Sequence, residues 1–345
     1  MPAHHPLQSC AASHNSRTLL VSAGRSMAAL LLATIGFMAH GPATAQDAYP
    51  AKAIRFVVPY PPGGVSDNSS RAIADRLGKV LGASMVIENK AGAASTLASN
   101  FVARAPADGY TLYAAPNSLV LNPILQGKVE YDPARDFAPV SMMITSAFVL
   151  HVNKDVKAND LGELLALVRA NPDKYSIGTS GMGSMNHLAS ELFIKTFGLK
   201  MIVVHYKGGM PAAQDMVGGQ VQMMFSAVNE AMPFLQGGRT RAIAVSTRER
   251  APQLPDVPTV DEATGTRGFD AVYWLALMTP AGTPAPVLAR LEAAMQELGK
   301  DAALRDDLAR KGVNLTVSGP QEVRATMDRD EKKWGQIIRE LGIRE

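Results

Sequence analysis

From residue 50 onward the chain alternates short apolar runs with stretches whose apolar positions recur every three or four residues. Positions 54–58 (IRFVV) read as a strand, and 67–81 as a helix carrying Ile73, Leu77 and Leu81 along one stripe. Positions 85–88 and 110–114 read as further strands, with a helix over 96–105 between them. Strands that keep giving way to helices imply a largely parallel sheet covered by helices on both faces.

The rhythm resumes after an extended run at 148–152. Helices over 161–170, 185–197, 211–217 and 229–235 alternate with strands at 175–178, 202–205, 221–225 and 242–246. A proline-punctuated loop at 253–258 and a long extended stretch at 269–279 follow, and the remainder is helical. Thr283 is expected to cap one helix with Pro284 at its first position, and Ser318 to cap another that runs to Leu341. The extended runs near 148 and 272 are the expected crossings between two domains. One would comprise 46–148 plus 272–345, the other 149–271, since a chain of this length is large for a single core.

The N-terminus follows a different pattern. Arg17 and Arg25 flank an apolar run at 27–38 (MAALLLATIGFM), which leads to Ala43-Thr44-Ala45. A basic flank, a short apolar core and a small-x-small site read as a secretory signal, residues 1–45, cut after Ala45. The run is too short for a bilayer span, which takes about 20 apolar residues. Cys10, the only cysteine, would leave with the signal, so no disulfide, thiol nucleophile or Cys-ligated zinc is expected. Losing the two arginines takes the formal net charge from +3 to +1, which gives no electrostatic footprint for nucleic acid. His151, His187 and His205 remain without ligand spacing, so no metal site and no cofactor are expected.

Three strand-to-helix loops are rich in glycine and poor in titratable groups. The first is Pro59-Tyr60-Pro61-Pro62-Gly63-Gly64-Val65-Ser66-Asp67. It opens a helix, so free amides and the positive end of a helix dipole point above the sheet. Asp67 has two readings, a plain helix cap or a site residue. The second is Gly178-Thr179-Ser180-Gly181-Met182-Gly183-Ser184-Met185-Asn186-His187, which offers hydroxyls and glycine amides suited to a carboxylate held without a counter-charge. Asn186 occupies the third glycine position of a G-x-G-x-x-G, so the dinucleotide fingerprint fails, and no G-x-S-x-G elbow is present. The third is His205-Tyr206-Lys207-Gly208-Gly209-Met210-Pro211, where Lys207 is either a carboxylate partner or a solvated loop lysine. In open α/β sheets ligands bind at the carboxyl ends of strands, where all three loops lie.

These loops, in this order, resemble the substrate-binding proteins of tripartite tricarboxylate transporters, the Bug-type family. The resemblance runs across residues 48–345. It rests on Tyr60-Pro61-Pro62-Gly63-Gly64, Ala107-Asp108-Gly109-Tyr110-Thr111-Leu112 and Tyr131-Asp132-Pro133-Ala134-Arg135-Asp136-Phe137. It rests equally on Thr179-Ser180-Gly181, Tyr206-Lys207-Gly208, Leu254-Pro255-Asp256-Val257-Pro258-Thr259-Val260 and Pro280-Ala281-Gly282-Thr283-Pro284. It implies an α/β two-domain periplasmic-binding-protein clamshell of type II, monomeric and non-enzymatic, that captures a small carboxylate and delivers it to a two-subunit membrane permease.

The resemblance gives the ligand-binding role to Tyr60, Gly63 and Gly64 of the first loop and to Ser180, Gly181, Ser184 and His187 of the second, and the loops themselves add Asp67 and Gly183. Tyr206, Lys207 and Gly208 from the third loop and Ser226 complete the set. Ser226 stands where family members often have Asp, and Asn89-Lys90-Ala91-Gly92-Ala93-Ala94-Ser95 where many read Asn-Arg-Pro-Gly-Ala-Gly-Gly. Two other readings share the fold class: a hydrolase using Ser180 or Ser184 with His187, and a periplasmic partner of a signalling system.

Overall fold

The structure, a computed structural model, describes residues 49–343. The expected signal and its cleavage after Ala45 lie outside the described residues. Ten strands are present among those described: β1 Ile54–Val58, β2 Met85–Asn89, β3 Thr111–Pro116, β4 Phe137–Asn153, β5 Ser176–Thr179, β6 Ile202–His205, β7 Met223–Ala227, β8 Thr240–Val245, β9 Val272–Pro280 and β10 Asn314–Leu315. The helices are α1 Val65–Leu81, α2 Thr96–Ala103, α3 Ser118–Leu125, α4 Leu161–Ala170, α5 Met185–Phe197, α6 Gly209–Val217, α7 Val228–Gln236, α8 Val260–Thr264, α9 Ala285–Leu298, α10 Ala302–Arg310 and α11 Pro320–Leu341. A single 3-10 turn, Ala93–Ser95, precedes α2.

The strands run in the order β2-β1-β3-β9-β4-β7-β5-β6, with β8 and β10 also on β4. The outer strands of each half, β2-β1-β3 and β6-β5-β7, are parallel. Every antiparallel pair involves β4 or β9. β4 pairs with β9 over Phe137–Ala147 and with β7 and β8 beyond it, so the chain passes from one half of the sheet to the other inside one strand. The sequence reading recognised only the far end of this strand, because Pro139, Ser141 and Ser146 interrupt its apolar run. Two register shifts against β9, at 139–141 and 142–144, absorb that interruption.

The largest apolar cluster runs through both halves, from Ile54 and Phe56 on β1, past Ile144 and Phe148 on β4, to Phe193 on α5 and Phe225 on β7. Burial of such large side chains contributes roughly 1.5–3 kcal/mol each. The rings of Phe225 and Phe269 stack 6.1 Å apart, with Phe193 edge-on to both.

Two cap expectations are corrected. The N-cap of α9 is Pro284 itself, and the Thr283 hydroxyl turns back to the carbonyl of Pro280. The N-cap of α11 is Gly319, with Pro320 at the first helical position, and the Ser318 hydroxyl reaches only the Gly319 carbonyl. In each case the proline, with fixed φ and no amide to satisfy, starts the helix one residue later and leaves the hydroxyl no amide to accept. Among the described residues no helix is long and apolar enough to cross a membrane.

Candidate functional site

β1, β5 and β6 each end in a glycine loop that starts a helix, which puts all three loops at the carboxyl ends of parallel strands. The first loop turns at Gly63, whose φ of +93° a side chain would resist, and enters α1 through Gly64. Gly64 has φ −80° and ψ 178°, and a Cβ built there meets nothing within 4 Å. Among the described residues the amides of Gly64, Val65 and Ser66 have no acceptor.

Asp67 braces this loop from beneath and is itself buried. Its carboxylate accepts from the Gly63 amide at 3.0 Å, from Asn89 at 2.8 Å and from Arg71 at 3.0 Å. Burial pushes the carboxyl pKa up, but these bonds outweigh it and hold the group below its ordinary value. Asn89 also donates to the Tyr60 carbonyl, so the strand end, the loop and α1 form one hydrogen-bonded unit.

Residues that the sequence did not single out complete this half of the site. The Tyr60 hydroxyl bonds Ser118 at 3.1 Å, and Ser118 bonds Ser95 at 2.7 Å. The Tyr273 hydroxyl lies 2.5 Å from Oγ of Ser66. Burial raises the pKa of both Tyr60 and Tyr273, so both phenols stay protonated and able to donate. The Ser95 hydroxyl is placed by three successive non-glycine residues with positive φ: Ala93 at 45°, Ala94 at 48° and Ser95 at 82°.

The second and third loops pack together. Thr179 accepts the Tyr206 amide through its carbonyl and bonds Nδ1 of His205 through its hydroxyl at 2.8 Å. The Gly208 amide donates to the Ser180 carbonyl at 3.1 Å. Gly181 has φ +135° and its Cα faces the Tyr206 carbonyl, a Cβ there lying 3.4 Å from that oxygen. Gly183, at φ +73°, lets the second loop press against Leu125 of α3, where a Cβ would come within 2.9 Å.

The hub of the second loop is Asn186. Its Oδ1 receives the Ser180 amide at 3.1 Å, the Ser180 hydroxyl at 2.8 Å and the Ser184 hydroxyl at 2.6 Å. Those donors fix the orientation of the amide and leave Nδ2 as a free donor among the described residues. The amides of Met185 and Asn186, at the head of α5, likewise have no acceptor. His187 accepts the Gly183 amide on Nδ1 at 3.0 Å and faces Glu191 through Nε2 at 3.4 Å. Its ring meets that of His205 edge-on at 4.6 Å. Burial, then the neighbouring His187, lower the pKa of His205.

The other expected site residues are placed as follows. The Tyr206 ring packs over Gly178 and in the apolar cluster around Ala212, with burial and then Asp215 raising its pKa. Lys207 is exposed and makes no ion pair among the described residues. Ser226 is buried near the carboxyl end of β7, its hydroxyl 2.8 Å from Nε2 of His151. His151 also bonds Thr240 at 3.1 Å, and burial holds its pKa down at about 3. Among the described residues no group of three or more His, Cys, Asp or Glu could hold a metal ion.

A family model described as the tripartite tricarboxylate transporter family receptor matches residues 69–343. The chain belongs to this family. As a tripartite tricarboxylate receptor it is 35% identical over 298 residues to the UPF0065 protein of the tcbD-tcbE intergenic region of Pseudomonas sp. strain P51, covering 86% of this chain and 88% of the relative. It is 32% identical to protein BugT of Bordetella pertussis, over 91% of this chain and 96% of BugT. Among solved structures the receptor is similar to R. palustris Rpa4515 with adipate, with a TM-score of 0.78, 30% identity and coverage of 85% of this chain and 98% of that one. It is also similar to MatC from Rhodopseudomonas palustris with bound malate, with a TM-score of 0.72, 30% identity and coverage of 84% and 100%. The α/β fold, with parallel strands flanked by helices, is that of periplasmic binding proteins of this type.

Proposed function

We propose that this receptor works in the periplasm, captures a small carboxylate between the first loop and the paired second and third loops, and releases it unchanged to a two-subunit membrane permease. The observation that carries this reading is the donor set. Free amides at the heads of α1 and α5, Nδ2 of Asn186 and two protonated tyrosines supply hydrogen bonds to an anion. His187, the only basic side chain in the first and second loops, is spent on the loop itself, and Lys207 of the third loop is exposed. Charge-assisted hydrogen bonds contribute roughly 1.5–3 kcal/mol each, so a few suffice for the roughly 8 kcal/mol of a micromolar complex. Similarity to structures holding adipate and malate supports a carboxylate as the ligand.

The halves 46–148 plus 272–345 and 149–271 act as two domains in this reading, with the anion as the latch between them. Export requires removal of residues 1–45, and intact mass of periplasmic protein tests it: a chain starting at Gln46 is expected, and a full-length cytosolic product contradicts it.

A thermal-shift screen of mono-, di- and tricarboxylates, with product analysis of the same mixtures, tests capture without chemistry. Ligand at about 100 times Kd should stabilise the protein by roughly 2.7 kcal/mol with no product formed. Turnover, or shifts confined to sugars and cations, contradicts the proposal.

A further inference from the structure

Glu230 is a carboxylate that the loops leave unanswered. It stands in the first turn of α7, and its Oε2 lies against Gly209 at the head of α6, where a Cβ would approach it to 2.9 Å. It has no hydrogen bond or ion pair among the described residues. Solvent reaches the side chain, yet protein surrounds it densely enough that burial raises its carboxyl pKa. Its charge is felt at the Tyr273 hydroxyl, where burial and then Tyr60 raise the pKa and Glu230 adds to the effect. Tyr273 in turn touches Ser66 in the helix that the first loop opens. The neighbouring Asn229 lines a cavity of about 260 Å³ together with Val65, Asn68 and Ser69 of the same helix and with Lys311 and Val313. Glu230 thus stands beside the third loop at Gly209, close enough to Tyr273, the partner of Ser66 behind the first loop, for its charge to act there.

A fixed negative charge beside an anion site repels a second carboxylate and attracts a cation or a strong N–H donor. Resting on the carboxylate-capture reading above, we propose that Glu230 holds the ammonium end of a ligand whose carboxylate sits on the glycine loops. The preferred ligands are then aminocarboxylates, zwitterions with separated ends, rather than dicarboxylate dianions. Two lysines are near: Lys207, two residues before Gly209, lies exposed and makes no ion pair among the described residues, and Lys311, in the cavity beside Asn229, is paired with Asp307 at 2.7 Å, so neither neutralises Glu230.

The test is calorimetric titration with matched pairs: adipate against 6-aminohexanoate, and succinate against 4-aminobutanoate. Wild type should favour the amino member of the better-fitting pair by tenfold or more. Glu230→Gln should cut affinity for that member at least tenfold while leaving the dicarboxylate unchanged or improved. Glu230→Asp, which keeps the charge, should retain the preference. Melting curves of each variant establish that it is folded. A wild type that prefers the dicarboxylate, or an amino-to-carboxylate ratio unmoved in Glu230→Gln, overturns the role of Glu230 and leaves carboxylate capture standing. Failure of wild type to bind either pair or any carboxylate in the wider panel overturns both.

Discussion

The amide of Gly183 donates to Nδ1 of His187 at 3.0 Å, and this bond decides what the imidazole is free to do. A ring nitrogen that accepts a backbone proton carries none itself, which leaves Nε2, facing Glu191, as the ring's donor. The hydroxyl of Ser184 points instead to the Gly181 carbonyl at 2.6 Å and to Asn186. Nucleophile and base are therefore not paired, whereas acyl-transfer chemistry needs the hydroxyl hydrogen-bonded to the imidazole. His187→Ala should loosen the loop and weaken carboxylate binding several-fold, and neither it nor wild type should hydrolyse an ester panel. Ester turnover lost in His187→Ala would restore the hydrolase reading.

Asn186 offers a sharper probe of the same loop. Asn186→Asp keeps an oxygen for the Ser180 and Ser184 hydroxyls but replaces the free Nδ2 donor with a second oxygen and adds charge. Affinity for a carboxylate should fall at least tenfold, with the melting temperature nearly unchanged. Binding at wild-type strength would show that Nδ2 does not face the ligand.

The pair His151 and Ser226 predicts a pH dependence of stability. Burial depresses the native pKa of His151 to about 3, whereas an unfolded histidine titrates near 6.5. Between those values the unfolded state binds more protons, so stability is full above about pH 6.5 and falls as the medium is acidified. This one group contributes a slope of about 1.4 kcal/mol per pH unit across the window. His151→Asn should be less stable at neutral pH and show a shallower loss on acidification, read from urea unfolding at a series of pH values. Parallel curves for the two proteins would contradict the assignment.

Ala93, Ala94 and Ser95 hold left-handed backbone that costs non-glycine residues about 1–2 kcal/mol each. Ala94→Gly relieves that strain and loses roughly 0.5–1 kcal/mol to chain entropy, for a net gain between zero and about 1.5 kcal/mol. Ser95→Gly should gain less, because it also removes the hydroxyl that bonds Ser118. Differential scanning calorimetry on both variants checks the order, and a larger gain for Ser95→Gly would contradict the role given to that hydroxyl.

The parts of this site that the sequence made legible are those written locally. A strand that ends in glycines and opens a helix is visible in a dozen consecutive residues, and all three loops were read on that basis. What it hid depends on residues far apart. Ser66 and Tyr273 are 207 positions apart in the chain. Asn186 read only as the residue that spoils a dinucleotide motif, and its gathering of two serines becomes visible once the loop is closed. Ser118 was missed because Pro123 inside α3 obscured that helix, even though the helix tolerates it there near its end. Ser226 was legible as a strand-end residue, but its bond to His151 in the neighbouring strand was not, because the two lie 75 positions apart.

The central claim is that backbone and neutral donors of the two glycine loops hold the anion, and Gly64 tests it most directly. A Cβ at Gly64 meets no atom within 4 Å and the backbone there, at φ −80° and ψ 178°, suits a β-branched residue, so Gly64→Val is expected to fold, with its melting curve as the check. Isothermal titration with the strongest carboxylate from the screen, on wild type, Gly64→Val and Lys207→Ala, compares the two ways of holding an anion. The predicted result is binding lost by at least thirtyfold in Gly64→Val and by less than threefold in Lys207→Ala. Unchanged binding in Gly64→Val together with abolished binding in Lys207→Ala would show that a side-chain charge holds the ligand, and would contradict the account.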